Sequence, residues 1–376
     1  DKTVEFRLIT GATVLDSTNA TTSTNETGNV TLTADFEQED ALDLGDPLTV
    51  TASTGTGYKT DSIAATGPGV ISPNQTVDAT NSLSLEAKNA TVTARPEFET
   101  TPAVDTTVNF TLESVNTSQT LATAEKTVSG SSVGSDFDLT AQFSNGTFEP
   151  GHTLRLYANV TAGDTGYANA TRNITDVRPG NERDVVGALE LNAKNATVNA
   201  SANLLTAPAE ETNITFRLLN GADIEFANET LTVSAGTTET DNVTLTGDFA
   251  DVNLESGDNL DVEMNTTSGE TGYNIATADV NNLRPDQSRT VTADLEAKNV
   301  AVTTNATLSA APADPTDVTF TLLNESSTLA TKTVGTTAAE IGTVTLEGGF
   351  SNSAIHPETT LTVRTGGTDC DTGYSV

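Results

Sequence analysis

The chain is built from short stretches in which apolar and polar residues alternate with a period of two. In residues 137–143, Phe137, Leu139, Ala141 and Phe143 are apolar and the residues between them are polar. This alternation is typical of a strand with one buried face and one solvated face. No stretch shows the 3.6-residue apolar period of an amphipathic helix. The pattern therefore predicts an all-β protein.

Several sequence landmarks recur along the chain at nearly constant spacing. Ala-Lys-Asn occurs at 87–89, 193–195 and 297–299, so its copies are 106 and 104 residues apart. Gly-Tyr occurs four times, ending at Tyr58, Tyr167, Tyr273 and Tyr374. Phenylalanines recur in two sets, which are Phe6, Phe110, Phe216 and Phe320, and then Phe36, Phe143, Phe249 and Phe350. A fixed period of this size indicates tandem copies of one small β domain.

In the second copy, alternation and turn residues divide the chain into about seven short strands. The predicted strands are residues 85–93 running on toward Phe98, then 107–112, 121–128, 137–143, 154–160, 167–177 and 185–191. Seven short strands separated by turns are typical of an immunoglobulin-like sandwich. A continuous β-solenoid is the alternative, but its period would be far shorter. We therefore expect tandem immunoglobulin-like β-sandwich repeats of roughly 105 residues.

The landmarks place the predicted domains at 1–80, 81–186, 187–292 and 293–376. Residues 289–304 alternate almost without a break across the last boundary and contain no Gly/Ser linker, which would behave as a flexible coil. We therefore expect neighbouring domains to be held at a fixed angle, so that the repeats form a rod.

The two terminal domains are predicted to be incomplete. The first copy lacks the strand equivalent to residues 85–93, and the last copy lacks the strands that follow Gly-Tyr. Either the chain continues as a longer repeat protein, or strands are exchanged head to tail between copies of the chain, because an open sheet edge accepts a donated strand.

Charge and composition restrict the function classes. Threonine supplies 72 residues, which suits strands, and the net charge is −35 from 52 acidic and 17 basic residues. This charge argues against binding of nucleic acid or of an anionic membrane, since both need basic surface. Disorder is the alternative reading of such a composition, but recurring Phe and Tyr imply a specified core. Because salt screens the self-repulsion of an acidic surface, we expect a halophilic source.

Neither an intrachain disulfide nor a membrane span is predicted. The only cysteine, Cys370, cannot form an intrachain disulfide. No apolar run reaches the length needed to cross a bilayer, so we expect no direct membrane insertion of this segment.

Asn-x-Ser/Thr sequons number 19, against a chance expectation of about eight for this composition. Sequons mark exposed surface in exported proteins, so we expect N-linked glycans. One sequon, at Asn109 beside Phe110, could be used only if its strand turns that side chain outward. The other predicted glycosylation sites are Asn19, Asn25, Asn29, Asn74, Asn89, Asn116, Asn145, Asn159, Asn169, Asn173, Asn195, Asn199, Asn213, Asn228, Asn242, Asn265, Asn305 and Asn324.

The repeated Lys88, Lys194 and Lys298 have two interpretations. An exposed lysine that opposes edge-to-edge aggregation is the simpler one. The alternative is a Lys–Asn or Lys–Asp isopeptide bond, which needs a buried lysine beside a catalytic carboxylate such as Glu86 or Glu296. The recurring tyrosines of Gly-Tyr resemble a tyrosine corner, whose hydroxyl bonds nearby backbone, and we assign them a structural role.

Nothing in the sequence singles out catalytic or metal-binding residues. His152 and His356 occupy unrelated positions in their copies and have no His or Cys partner, and no Gly-x-Ser-x-Gly, Cys/His pair or phosphate-binding loop occurs. We therefore expect no enzyme activity and no cofactor, with weak Ca²⁺ or Na⁺ binding at domain junctions left open.

Taken together, repeats, acidity and sequons make the whole chain resemble tandem-repeat cell-surface glycoproteins of halophilic archaea, of the S-layer, filament and stalk type. The resemblance implies an extracellular, N-glycosylated structural protein that associates with itself in a filament, fibre or S-layer-type assembly. Two alternatives remain open, the stalk of a cell-surface adhesin and an accessory module of a secreted enzyme.

Overall fold

A computed structural model describes residues 1–23, 26–36, 42–65, 76, 83–143, 148–350, 355 and 359–367. Within these ranges the chain forms strands, turns and irregular segments, with no helix. The all-β prediction is confirmed. The chain divides into two compact units, Asp1–Asn192 and Ala193–Val376.

The strands of the first unit are β1 (Lys2–Thr10), β2 (Thr13–Thr22), β3 (Thr49–Thr54), β4 (Asp61–Ala64), β5 (Ala90–Ala94), β6 (Glu97–Phe98), β7 (Thr106–Ser114), β8 (Gln119–Val128), β9 (Phe137–Ala141), β10 (Leu154–Ala162), β11 (Ala170–Ile174), β12 (Glu182–Asp184) and β13 (Glu190–Leu191). The strands of the second unit are β14 (Ala196–Leu204), β15 (Thr212–Asn220), β16 (Glu225–Val233), β17 (Val243–Gly247), β18 (Asp258–Ser268), β19 (Ala276–Leu283), β20 (Ser288–Leu295), β21 (Val300–Thr307), β22 (Thr316–Asn324), β23 (Ser327–Thr336), β24 (Glu340–Gly348) and β25 (Leu361–Gly367).

One sheet topology recurs in both units. Four-stranded antiparallel sheets have the orders β2-β1-β3-β4, β8-β7-β10-β11 and β16-β15-β18-β19, and we name each after its second strand. The related β22 sheet has the order β23-β22-β25. Smaller sheets accompany them, namely the β5 sheet (β12-β5-β9), the β14 sheet (β17-β14-β20) and the pairs β13-β6 and β21-β24. The outer pairings β12–β5 and β20–β14 are parallel, whereas β9 and β17 lie antiparallel to the same central strands.

Strict alternation builds the core between the two kinds of sheet. In β7 every second side chain is buried, including Val108, Phe110 and Leu112. The ring of Phe110 meets that of Phe137 on β9 edge to face at 4.7 Å, which joins the β7 and β5 sheets into a sandwich. In the second unit the β14 and β15 sheets share one apolar cluster that includes Phe216. Each fully buried large side chain contributes about 1.5–3 kcal/mol relative to exposure.

Most predicted strands are found, with shifts at their ends. β7, β8 and β10 match the predicted 107–112, 121–128 and 154–160 closely. The strand predicted from residue 85 starts only at Ala90, because the residues before it pair with an earlier loop.

Two other predicted elements are interrupted. The predicted strand 185–191 is replaced by β12 and β13 with a turn at Gly187, whose φ is +75°. The alternation across 289–304 is divided between β20 and β21. The four domain boundaries stay a prediction.

Candidate functional sites at the strand joints and on the sheet faces

A joint connects the β1 sheet to β5 in the first unit. The backbone N–H of Lys88 donates to Gly57 O at 2.8 Å, and the N–H of Lys59 donates to Glu86 O at 2.8 Å. Tyr58 and Ala87 lie between these bonds as an antiparallel bridge. The Ala-Lys-Asn and Gly-Tyr landmarks are therefore two sides of one piece of strand pairing, which we call the first joint (residues 57–59 and 86–88).

A turn that follows β11 closes over the first joint. The N–H of Gly180 donates to Lys88 O at 3.2 Å. Gly57 has a φ of +89°, and a Cβ added there would lie 2.6 Å from Pro179 O. Only glycine satisfies both conditions, since other residues resist positive φ and would clash with the turn backbone. Three separate segments of the first unit thus meet at Gly57.

The second unit contains a joint with the same backbone pairing. The N–H of Lys298 donates to Gly272 O at 2.6 Å, and that of Asn274 donates to Glu296 O at 2.8 Å. Tyr273 and Ala297 form the bridge between them. We call residues 272–274 and 296–298 the second joint. Recurrence of the pairing shows that the repeated motifs encode it.

The repeated lysines lie on the surface. Lys88, Lys194 and Lys298 are all exposed. Lys194 Nζ pairs with Asp286 Oδ2 at 2.9 Å, with 48% of the lysine side chain exposed. A surface ion pair of this kind contributes about 0–1 kcal/mol. The buried environment that isopeptide chemistry needs is absent at these three lysines.

The tyrosines of Gly-Tyr anchor the sandwich differently from a tyrosine corner. Tyr167 Oη donates to Thr100 O at 2.9 Å, and Tyr273 Oη donates to Thr206 O at 2.7 Å. Each acceptor precedes its tyrosine by 67 residues and is therefore not nearby backbone. Burial, and then the neighbouring Glu270, raise the pKa of Tyr273 to about 12. The acceptors were missed in the sequence, although Thr-x-Pro recurs at 100–102 and 206–208.

The predicted glycosylation sites lie on the surface wherever the structure describes them. The exposed ones are Asn19, Asn29, Asn89, Asn116, Asn169, Asn173, Asn195, Asn228, Asn242 and Asn305, and the half-buried ones are Asn159, Asn199, Asn213, Asn265 and Asn324. Asn25, Asn74 and Asn145 lie outside the described residues. Asn109 faces away from the core as its use would require, but its Oδ1 is buried without a hydrogen-bond partner. Occupancy of the sequons stays a prediction.

Other chemistry-bearing residues form no reactive constellation in the described parts of the chain. There, no group of three or more His, Cys, Asp or Glu side chains could hold a metal ion. The His152 ring packs on Phe148 at 6.0 Å, and its Nδ1 accepts the N–H of Glu149. Cys370 and His356 lie outside the described residues. The same ranges contain no helix long and apolar enough to span a bilayer. Weak cation binding stays a prediction.

Comparison with known proteins gives structural likenesses only. The chain matches no protein-family model and no curated protein sequence. It is similar to the Bacillus anthracis TIE protein, with a TM-score of 0.36, 10% identity, and coverage of 98% of this chain and 63% of that one. The chain therefore spans less than two thirds of that protein.

Two pilins are also similar. For the minor pilin GBS52 of Streptococcus agalactiae the TM-score is 0.20 and identity 9%, covering 56% of this chain and 96% of that one. For the T-13 major pilin of Streptococcus pyogenes the values are 0.20 and 14%, covering 57% and 98%. None of these proteins is a halophilic archaeal glycoprotein, and that resemblance stays a prediction.

Proposed function

We propose that the protein is an extracellular structural protein, an N-glycosylated rigid repeat unit of a cell-surface filament, fibre or S-layer-type assembly that associates with itself. The observation that carries this proposal is the pair of joints. In each, strand-type hydrogen bonds occupy the position where a modular binding protein would have a flexible linker.

The energetics of the joints support a stiff connection. Each backbone hydrogen bond contributes about 0.5–1.5 kcal/mol net, so the two bonds of a joint hold it closed by about 1–3 kcal/mol. Turn packing at Gly57 adds contact in the first joint. A Gly/Ser linker would instead sample a random coil. Stiffness of this kind serves a protein whose role is to span distance.

Surface chemistry supports the location. A net charge of −35 and sequons on both kinds of sheet give a strongly hydrated exterior. Exported proteins carry N-glycans, and an acidic surface keeps chains soluble where salt is concentrated. We include the halophilic source and the carbohydrate coat in the proposal for this reason.

The experiment is to disrupt the first joint without disturbing the sandwich. Gly57→Ala places a Cβ against Pro179 O, whereas Gly187→Ala carries the same positive-φ strain with no atom within 4 Å and serves as the control. Hydrogen exchange is followed at the amides of Lys59 and Lys88, with small-angle scattering of the same samples in molar salt.

We expect Gly57→Ala to accelerate exchange at both amides by about tenfold or more, since 1.4 kcal/mol of lost joint stability is a factor of ten. The scattering of Gly57→Ala should indicate a broader distribution of shapes. Gly187→Ala should change neither the exchange rates nor the scattering. Unchanged exchange in Gly57→Ala would contradict a joint held by these contacts. Electron micrographs of native material that show only dispersed single chains would contradict the assembly.

A further inference from the structure

The outer face of the β7 sheet has a shallow groove of about 430 Å³ that the proposed structural role does not use. Arg155, Tyr157, Thr171, Arg172 and Asn173 line it. In the β10–β11 pairing Arg155 lies opposite Asn173 and Tyr157 lies opposite Thr171. Side chains directly opposite on antiparallel strands are about 4.5–5.5 Å apart at Cβ, so an aromatic ring, a guanidinium and a sequon asparagine share one small surface.

Arg155 organises this surface. Its Nη1 donates to Tyr157 Oη at 2.9 Å and its Nε donates to Asn173 Oδ1 at 3.1 Å. The guanidinium carbon also lies over the Tyr157 ring, 5.7 Å from its centroid, so Arg155 and the ring together form one side of the groove. Asn173 is exposed, and its Nδ2 makes no hydrogen bond to any residue that the structure describes. The amide is thus oriented with its nucleophilic nitrogen free.

Arg155 also keeps hydrogen-bond donors for a ligand. Glu113 lies opposite it on β7, and no carboxylate among the described residues comes within the 4.0 Å of an ion pair with Arg155. The hydrogen bond to Tyr157 and then, more weakly, the charge of Glu113 raise the pKa of Arg155. A guanidinium has five N–H donors, of which two are used here. Arg155 thus keeps donors for a ligand beside a half-buried tyrosine ring. Such a surface fits a sugar, because the C–H face of the sugar packs on the ring while its oxygens accept from arginine.

We propose that Asn173 carries an N-linked glycan whose first sugar is seated on the Tyr157 ring and hydrogen-bonded by Arg155. This inference rests on the glycosylation in the proposed function. In the modification, Asn173 Nδ2 attacks the anomeric carbon of a saccharide linked to a lipid phosphate or pyrophosphate. The new N–C bond replaces the C–O bond to phosphate, the lipid phosphate leaves, and the amide gives one proton to a base.

Neighbouring sequons on the same face are poorer acceptors. Asn109 lies directly opposite Asn159 in the β7–β10 pairing, where Cα atoms are about 4.5–5.5 Å apart, too close for two glycans. The buried Oδ1 of Asn109 shows that its amide is packed among its neighbours. Asn169, just before β11, has no guanidinium contact of the kind that orients Asn173. We therefore expect Asn173 to be occupied and Asn109 to be empty.

The first experiment is glycopeptide mass spectrometry of the native protein. A glycan at Asn173 with none at Asn109 is expected. If no sequon anywhere carries a glycan, the glycosylation in the proposed function fails. If other sequons are modified while Asn173 is bare, this inference alone is overturned.

The second experiment separates a seated glycan from one that merely projects into solvent. Thr175→Val destroys the sequon but keeps Asn173 and its bond to Arg155, and Tyr157→Ala removes the seat but keeps the sequon. Thr307→Val removes the Asn305 sequon on β21 and is the matched control, because the neighbours of Asn305, Thr304 and Ala306, pair with Val344 and Ile341 rather than with an aromatic residue. Tyr157→Phe retains the ring face.

Melting temperatures of the single and double variants form a double-mutant cycle. We expect Thr175→Val to lower the melting temperature by about 2–6 °C, to have little further effect in the Tyr157→Ala background, and to retain its effect in Tyr157→Phe. Thr307→Val should leave the melting temperature unchanged. Equal effects of Thr175→Val with and without the Tyr157 ring would overturn the seating.

Discussion

Replacing Tyr273 by phenylalanine tests how the sandwich of the second unit is tied together. The hydroxyl donates to Thr206 O at 2.7 Å, and the side chain is 2% exposed. Tyr273→Phe keeps the ring but leaves the Thr206 carbonyl without this donor in a place that water does not reach. An unsatisfied buried group costs about 1–3 kcal/mol. For a unit of this size each kcal/mol shifts the melting temperature by about 2–4 °C, so we expect a decrease of about 2–12 °C.

The same hydroxyl predicts an alkaline dependence. The pKa of Tyr273 is raised to about 12 in the folded chain, whereas an unfolded tyrosine titrates near pH 10. The folded state therefore disfavours ionisation of Tyr273, so a rise in pH favours the unfolded state. The contribution of this group is fully present below about pH 10, decreases between about pH 10 and 12, and is lost above that range. A pKa difference of two units between the folded and the unfolded chain corresponds to about 2.7 kcal/mol of unfolding free energy.

The assay is urea unfolding of wild type and Tyr273→Phe in molar salt at several pH values from 7 to 11.5. Losses of unfolding free energy that are common to both proteins cancel when one value is subtracted from the other. The difference in unfolding free energy should be about 1–3 kcal/mol at pH 7 and should shrink above pH 10. Tyr58→Phe is the control, since that residue is the half-buried Gly-Tyr counterpart whose hydroxyl makes no hydrogen bond to the described residues. A difference below about 0.5 kcal/mol at pH 7, or one independent of pH, would refute the reasoning.

Three further perturbations have predicted signs. Burial, and then repulsion from Asp279, raise the pKa of Asp261, so the folded chain disfavours its ionised form. The penalty is absent below the ordinary carboxyl range and grows as pH rises through the raised pKa, so Asp261→Asn should stabilise at pH 7 and not at pH 3 in urea unfolding. Gly269 has a φ of +74° and its added Cβ would lie 2.1 Å from Glu211 O. Gly269→Ala should cost at least about 2 kcal/mol by calorimetry, whereas Gly236→Ala, with φ +80° and open space, should cost about 1 kcal/mol. Finally, raising salt from 0.1 to 3 M shortens the Debye length from about 10 Å to below about 3 Å and should raise the melting temperature; an unchanged value would count against adaptation to salt.

The strands of the sandwich were predictable because their burial follows the sequence period. Burial alternates throughout β7 and over residues 154–158 of β10, so Phe110 and Leu156 mark both the strand and its inner face. The same alternation predicts that Asn109, between the buried Val108 and Phe110, lies on the outer face of β7. The start of β5 was not predictable, because residues 85–89 carry a strand-like pattern that is used for pairing with the Gly-Tyr loop. An alternating sequence pattern indicates that a segment is extended, but it does not indicate which strand pairs with that segment.

The candidate sites needed the cross-strand register. Arg155 and Asn173 are 18 residues apart and meet only because β10 and β11 pair as they do. Tyr157 occurs in one copy only. The second unit has Glu263 at the equivalent position, opposite Arg217, so the repeats gave no signal for the groove. The acceptor of Tyr273 lies 67 residues upstream, beyond the local contact that the sequence suggested. The repeated residues of this chain form the sandwich cores and the joints, whereas Tyr157 of the groove is not repeated.

The parallel pairing of β14 with β20 predicts how the part of the second unit from β14 to β20 would respond to tension. The two strands run in the same direction through eight paired positions, from Thr197 with Ser288 to Leu204 with Leu295. Tension applied through the chain enters at the start of β14 and leaves at the end of β20, which are opposite ends of the pair. The bonds between these strands are therefore sheared together, whereas an antiparallel hairpin pulled from its open end separates one bond at a time. We therefore expect the resistance of this part to extension to depend on this short contact rather than on the unit's overall thermal stability.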